Sequence, residues 1–404
     1  MRGGSRTPSG WPGSILFHQP GVERSLRAAA IRLGAELRLG VGVDRFTDDG
    51  TGVTLGLTDG TEFRASFLVG CDGARSTVRK QLDITMDDLG FEEPWLVLDL
   101  VLHDGVEPPS EVALQVCDPA RPHTLVPMPP PRYRFEFMLL PGEQPDEIDT
   151  PERAREFLAA WIDPDEVEIE RSAVYTFHGL IADEWRRGRV MIAGDAAHQT
   201  PPFLGQGMCA GIRDAANLAW KLHRIVEFGA PESILDTYRP EREPQVRSII
   251  GAAVDFGRII CTTDPSVAAE RNAGMLAARA LDDRPKAVEA PLPALSGGPL
   301  VGPGGGALSV QPTVDGVRLD ETVGSRWAVV TSRRDLLDSD GAGWWSAFGA
   351  VLLSVDDVPE TADVLAPTGA DAVVIRPDRH LFTAGATVEP PTVETAEMLG
   401  ATHG

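Results

Sequence analysis

A carboxylate, an imidazole and two prolines stand close together at Asp195, His198, Pro201 and Pro202, between the apolar run Val190 to Ala193 and an amphipathic helical pattern that opens near Met208. These residue types at the end of a strand make a ligand-binding layout. A carboxylate accepts from two neighbouring hydroxyls, and prolines form a rigid wall with no unpaired N–H beside an aromatic face. Gly194 opens the turn, and Gly205 and Gly207 let the backbone approach a ring with no Cβ in the way. The helix start then aims the N–H groups of Gly207, Met208 and Cys209 at whatever lies above the loop, which favours an electron-rich group there. His198 has an ordinary pKa near neutrality and is placed to touch a ring edge, to relay a proton, or to tie down the loop by hydrogen bonding.

Two further segments have related chemistry. In FLVGCDGARSTVR, Phe67 to Arg79, a buried-looking strand ends at Asp72-Gly73, Ser76 is a plausible N-cap, and the short helix carries Arg79. In FHQPGVERSL, Phe17 to Leu26, Gln19 sits at the start of a helix. His18, His123 and His178 are weaker candidates, with His178 placed to face a pocket from its strand.

Read together, these segments resemble the class A FAD-dependent aromatic hydroxylases, the para-hydroxybenzoate hydroxylase superfamily. The resemblance implies that Asp195 binds the ribityl or ribose hydroxyls of FAD, that Pro201 and Pro202 run beside the isoalloxazine, and that the backbone at Gly207, Met208 and Cys209 binds its pyrimidine end. Asp72, Gly73, Ser76 and Arg79 match the family's Asp-Gly motif, implicated in FAD and NAD(P)H binding, and Gln19 matches a flavin-contacting glutamine. The candidate cofactor-binding set is therefore Gln19, Asp72, Gly73, Arg79, Gly194, Asp195, Pro201, Gly205, Gly207, Met208 and Cys209, with His198 and Pro202 as catalytic candidates and no metal site. The implied activity is FAD-dependent hydroxylation of a phenolic or other aromatic small molecule with NAD(P)H and O₂, in the cytoplasm. Within the family the wording GQGMCAGIRDAANLAWKL points to the 3-(3-hydroxyphenyl)propionate hydroxylase-like branch, although polyketide and antibiotic hydroxylases share much of it.

One family element does not occur in the sequence: the strand, G-x-G-x-x-G turn and helix that cradle a pyrophosphate. Met1 to Gly13 reads instead as loop, and the chain is expected to begin about one βαβ unit and its following segment late. An inactive fragment with a structural role is the rival reading.

The elements that must position these residues give an α/β fold: an incomplete Rossmann-like FAD domain with an inserted antiparallel substrate sheet, and a C-terminal thioredoxin-like domain. Residues 1–93 form the partial FAD domain, with a helix at Gly21 to Leu33 and strands at Leu37 to Phe46 and Val53 to Leu57. Residues 94–180 form the substrate sheet, from LVLDLVLH, VALQVC, HTLVPM and YRFEFMLL, with a helix near Pro151 to Trp161. Residues 181–282 return to the FAD domain and end in covering helices, with breaks expected at Pro240 and Pro244. Residues 283–314, rich in Pro, Gly and Ala, read as a linker, so cutting the chain near residue 300 should leave the cofactor region intact. Residues 315–404 hold WAVVT, VLLSV and AVVIRPD strands; without C-x-x-C this portion is a packing or dimerisation module, which allows for a homodimer.

At 404 residues and 42% apolar content the chain has ample core for two to three domains. The net charge of −23 argues against a nucleic-acid partner, and no apolar run reaches the length of a membrane span. Four cysteines at 71, 117, 209 and 261, far apart, fit neither a disulfide framework nor a metal-type spacing.

Overall fold

A computed structural model describes residue 7, residues 9–281 and residues 292–401. The expected loop at residues 1–6 and 8, and the first part of the expected linker, 283–291, lie outside the described residues. Helix α1 (Gln19–Arg32) precedes an antiparallel sheet of β1 (Val43–Asp48), β2 (Val53–Leu57) and β3 (Glu62–Ala65). Then come β4 (Leu68–Gly70), α2 (Thr77–Gln81) and β5 (Met86–Leu102). The middle of the chain supplies β6 (Leu114–Val116), β7 (His123–Pro127), β8 (Arg132–Met138), α3 (Pro145–Ile148), α4 (Pro151–Leu158) and β9 (Val167–Ala182). The return carries β10 (Arg186–Arg187), β11 (Val190–Ile192), β12 (His198–Gln199) and helices α5 (Gly207–Phe228), α6 (Tyr238–Ile260) and α7 (Pro265–Leu281). A ribbon of β13 (Thr313–Val314) and β14 (Val317–Arg318) leads to α8 (Leu319–Val323), β15 (Ala328–Thr331), α9 (Asp340–Ala347), β16 (Val351–Ser354), α10 (Ala362–Leu365), β17 (Ala372–Ile375), β18 (Leu381–Gly385) and α11 (Val393–Met398).

The mixed α/β architecture is the expected one. The largest sheet has the order β12-β9-β5-β8-β7-β6. Alternation sorts its side chains: Leu96, Leu98, Leu100, Tyr133, Phe135 and Phe137 face one core with Ala154 and Leu158 of α4, while Trp95 and Met138 face the main core. The expected strand at Leu37 starts only at Val43, because Gly40 takes a left-handed turn at φ 77°.

The breaks expected at Pro240 and Pro244 do not occur; α6 runs unbroken from Tyr238 to Ile260. Pro240 lies in the first turn, where an N–H has no helical partner to lose. Pro244 removes one bond, on the exposed side of the helix, while Glu241, Arg242, Gln245 and Val246 lock the opposite side in the core.

The described part of the expected linker is packed. Leu295 is 2% exposed and Leu300 fully buried, and hydrogen bonds run from Gly302 N to Phe382 O at 2.7 Å and from Gly306 N to Leu381 O at 2.7 Å. A Cβ at Gly305 would lie 2.2 Å from the carbonyl oxygen of Phe382, so this glycine serves close backbone approach rather than flexibility. The C-terminal portion is bound to the rest through buried charge. The Arg376 guanidinium, fully buried, donates to both oxygens of Glu241 on α6 at 3.1 and 2.8 Å, and Asp378 accepts from Trp220 Nε1 on α5 at 3.2 Å. Trp220 also packs edge-on against Trp327, and one continuous core contains Trp220, Trp327, Trp345 and the β11 strand.

These contacts reverse the expectation of an independent C-terminal module. Arg376→Ala leaves two carboxylates buried without their guanidinium, a loss of about 3–5 kcal/mol. Urea unfolding followed by tryptophan fluorescence and by far-ultraviolet dichroism is expected to show both transitions shifted together. A shift confined to one probe, with the other unmoved, would restore the independent module.

Candidate functional site

The two aspartate turns, remote in sequence, lie side by side. Strands β4 and β11 pair in parallel, with Leu68 opposite Val190, Val69 opposite Met191 and Gly70 opposite Ile192, and Ala193 N donates to Gly70 O at 3.0 Å. Asp72 and Asp195 therefore follow the C-terminal ends of neighbouring parallel strands, the place where open α/β sheets bind ligands. Gly70 is required by packing, since a Cβ there would meet Val78 Cβ at 2.7 Å.

The Asp-Gly turn is largely engaged in its own architecture. Asp72 accepts from Ser76 Oγ at 2.6 Å and from Val78 N at 3.0 Å, and Ser76 caps α2 by accepting from Arg79 N at 2.9 Å. Gly73 holds φ 77°. Arg79, buried, donates to Ala196 O and to Ala74 O, each at 2.8 Å, so one guanidinium ties the Asp-Gly turn to the Gly-Asp turn. Burial lowers its pKa, with Asp72 opposing.

The Gly-Asp turn presents its carboxylate differently. Gly194 turns at φ 59°, and α5 rests so closely on it that a Cβ at Gly211 would lie 3.3 Å from Gly194 Cα. Among the described residues Asp195 makes no side-chain hydrogen bond or ion pair. By surface area the residue is exposed, yet burial by the surrounding protein raises its carboxyl above the usual range, with His198 opposing. The carboxylate is thus open to solvent at the end of its strand. His198 lies beneath the loop. Its ring has no exposure, Nε2 bonds Asp214 at 2.6 Å and Trp185 packs against it, so Nε2 ties the loop from beneath while Nδ1 has no hydrogen-bond partner among the described residues.

Pro201 is buried, Pro202 half-buried, and Gly205 takes φ 62° before α5 begins at Gly207. Gln206, the N-cap, gives no side-chain cap, so the first-turn N–H groups of Gly207, Met208 and Cys209 stay available. Thr200 Oγ1 nearby is buried without a partner. Gln19 is exposed and bonds Glu23 on its own helix at 2.9 Å; no hydrogen bond joins it to either turn. An unpaired carboxylate, an orphaned hydroxyl and an uncapped helix start match the hydroxyls and ring edge of a flavin, and these residues fit FAD. Among the described residues no His, Cys, Asp or Glu side chains gather in threes as a metal ion would need.

Opposite the loop stands the large sheet. Phe203, from the loop after Pro202, meets Phe91, Trp95 and Phe177 at ring separations of 5.8, 5.5 and 6.1 Å. Further along the same sheet face lie Glu136, and Arg134 bonded to Asp99 at 2.6 Å. Burial pushes the Glu136 carboxyl up to about 7, with Arg134 opposing. His123 belongs to the other face, stacked on Phe137, and His178 sits half-buried opposite Glu92.

Sequence reading missed Asp214, Arg242, Glu136 and the Phe203 cluster. One signal for Asp214 was present: with Ala210, Asn217, Leu218 and Lys221 it falls in the periodic slots of α5 that face the core, where a charge demands a partner.

A family model described as FAD binding domain matches residues 3–253. A probable NADH-specific resorcinol 4-hydroxylase of Rhodococcus jostii (strain RHA1) is 38% identical over 92% of this chain and 74% of its own length. A 3-(3-hydroxy-phenyl)propionate/3-hydroxycinnamic acid hydroxylase of Mycobacterium sp. (strain JLS) is 34% identical over 98% of this chain and 76% of its own. Among solved structures, aklavinone-11 hydroxylase in a ternary complex with FAD and aklavinone superposes with TM-score 0.75 at 26% identity, over 97% of this chain and 79% of that one.

The buried carboxyl opposite the loop yields a stability test. Its folded value, about 7, lies above the ordinary 4.5, so its contribution is fully present below about pH 4.5 and is lost as pH rises through 7. Replacing the carboxyl in Glu136→Gln removes that slope, worth on the order of 3 kcal/mol. Urea midpoints measured from pH 4.5 to 7.5 are expected to fall more steeply for the parent than for the variant; parallel curves would place the Glu136 carboxyl in water.

Proposed function

The chain belongs to the FAD-binding-domain family of flavin-dependent aromatic hydroxylases, and from that premise we propose an FAD-dependent monooxygenase that hydroxylates a phenolic ring with NAD(P)H and O₂. The observation that carries the reading is the parallel pairing of β4 with β11, which brings the Asp-Gly and Gly-Asp turns to one edge. When bound, FAD supplies the redox chemistry: NAD(P)H reduces it, and it activates O₂ to transfer one oxygen atom to the ring while the other leaves as water.

The chain's own residues bind, orient and exclude water. Asp195 accepts from hydroxyls of the cofactor's sugar chain, and its lack of any protein partner among the described residues supports that use. The N–H groups of Gly207, Met208 and Cys209 address the electron-rich edge of the flavin ring, with Pro201, Pro202 and Gly205 shaping the loop beside it. Phe203, Phe91, Trp95 and Phe177 close the gap between this loop and the sheet against water, which strengthens every polar contact inside. The sheet face that carries Trp95 and Glu136 receives the aromatic substrate.

The identities of 38% and 34% to hydroxylases named for resorcinol and 3-(3-hydroxyphenyl)propionate, against 26% to an aklavinone hydroxylase, favour a small phenol over a polycyclic polyketide. The order β16-β15-β17-β18, with β15 parallel to β16 and antiparallel to β17, supports a thioredoxin-like C-terminal unit. No helix among the described residues is long and apolar enough to cross a membrane. A cytoplasmic enzyme, self-associating as a homodimer, completes the reading.

The test is direct. Protein purified with FAD should be yellow, release flavin on denaturation, and oxidise NADH or NADPH faster when resorcinol or 3-(3-hydroxyphenyl)propionate is added, with a product heavier by one oxygen atom. A colourless protein that FAD cannot reconstitute would point to a structural role instead. Asp195→Ala should weaken FAD binding by about 1–3 kcal/mol, the cost of leaving hydroxyls without their acceptor. Equal dissociation constants in fluorescence titrations would remove Asp195 from the cofactor site.

A further inference from the structure

We propose that Asp214 is the positioning residue of the cofactor loop: from beneath the Gly-Asp turn it fixes the backbone that sets the direction of Asp195, and Arg242 of α6 holds it there. The proposal rests on the flavin reading given above and assigns a device within it.

Asp214 has no solvent exposure and makes three bonds at once. One carboxylate oxygen accepts from Gly194 N at 3.1 Å and from His198 Nε2 at 2.6 Å; the other accepts from Arg242 Nε at 3.0 Å. The two loop groups bracket Asp195, one residue before it and three after. Gly194 is also the residue at φ 59°, and its N–H donates to the Asp214 carboxylate on α5, where an extended residue would donate sideways to a neighbouring strand. An acceptor at this spot therefore stabilises the one conformation that turns the Asp195 side chain outward. Arg242, itself buried, also donates to Ala210 O at 3.3 Å and to Gln245, so the anchor is fastened to both α5 and α6. Gly211, three residues before Asp214 on α5, lets the helix close onto Gly194. Burial, the largest single influence, disfavours ionisation of Asp214, but His198, Arg242 and Gly194 N–H together outweigh it and keep the carboxyl ionised.

A merely structural ion pair and a positioning residue make different demands. The first needs only balanced charge and filled volume; the second needs an acceptor oxygen under Gly194. Two double variants separate them. Asp214→Asn with Arg242→Gln removes both charges but keeps an oxygen for Gly194 N–H, while the asparagine amide can donate to the glutamine carbonyl. Asp214→Leu with Arg242→Met fills the space without any acceptor, a replacement that buried ion pairs often tolerate.

Amide hydrogen exchange of the cofactor-free proteins reads the hold on residues 194–198, and FAD titration reads its consequence. In the Leu/Met pair, exchange across 194–198 is expected to rise by about tenfold and the FAD dissociation constant by about tenfold; in the Asn/Gln pair both stay within about threefold of the parent. If the Leu/Met pair does not fold by circular dichroism, Asp214→Ala with Arg242→Gln makes the same comparison, since alanine also lacks an acceptor. Unchanged exchange in a folded acceptor-free variant, or unchanged FAD affinity despite lost protection, overturns the proposal. An exchange contrast between the two double variants, with a parent that takes up no FAD, overturns the flavin reading, and with it the cofactor role of Asp214.

Discussion

Six charged side chains with almost no access to water lie between α5, α6 and the β17–β18 turn, and the rest of the molecule is arranged around their satisfaction. Lys221, Arg242 and Arg376 face Asp214, Glu241 and Asp378, three of each sign. Burying an ion without a partner costs several kcal/mol, so each must find its counter-charge at hydrogen-bonding distance, and this fixes the helices and the turn relative to one another. Burial pulls the Lys221 ammonium down to about 8 even with Glu241 opposing, a measure of how dry the layer is. Glu241 and Arg242 are consecutive on α6 yet serve opposite neighbours. Glu241 takes the C-terminal turn through Arg376, and Arg242 takes the cofactor loop through Asp214. One turn of one helix thus binds the C-terminal portion of the chain to the site.

That arrangement explains what could be read from the amino acids and what could not. The local signals were reliable where a residue type has one dominant local use. Ser76 caps α2, the Asp72 and Asp195 turns follow short apolar strands, and α5 starts where the glycines end. The four-residue strands of the C-terminal sheet fell on WAVVT, VLLSV and AVVIRPD. Pairing between remote segments was beyond local reading, because nothing in Leu68 or Val190 names the other. Glycine misled in the segment before β13, since the residue that permits flexibility also permits backbone contact, and only the position of Phe382 decides between them. Proline misled in α6 for a related reason: the loss of one hydrogen bond is local, while the burial that outweighs it comes from other elements.

Within the site, the motif residues divide into those that face outward and those that hold. Asp195, Gly205 and the helix start at Gly207 to Cys209 keep groups free for a ligand. Asp72, Arg79, Gly194 and the Nε2 of His198 are taken up by the protein itself. A sequence motif records both kinds without distinction, since replacing either disturbs the site. Hydrogen-bond accounting separates them: a polar group with a full set of protein partners positions, and one left open binds. By that measure His198 is divided: Nε2 is held by Asp214 beneath the loop, while Nδ1 is buried without a hydrogen-bond partner among the described residues.

The relation between the Gly-Asp loop and the large sheet follows from backbone geometry rather than from side chains. Strand β12 is the edge strand of the large sheet, with His198 opposite Ile181 and Gln199 opposite Leu180 on β9. The loop that carries Asp195 is therefore hydrogen-bonded into the same sheet that carries Trp95, Tyr175 and Glu136. Because side chains alternate along a strand, a slip of one residue in this pairing would turn His198 toward solvent and Gln199 into the helix layer, and Asp214 would lose its partner. Register is thus specified twice, by the ladder and by a buried ion. On the proposed reading, the spacing between a flavin ring at the loop and a substrate ring on the sheet would be set by a β-ladder, a far stiffer connection than a packed interface between separate domains.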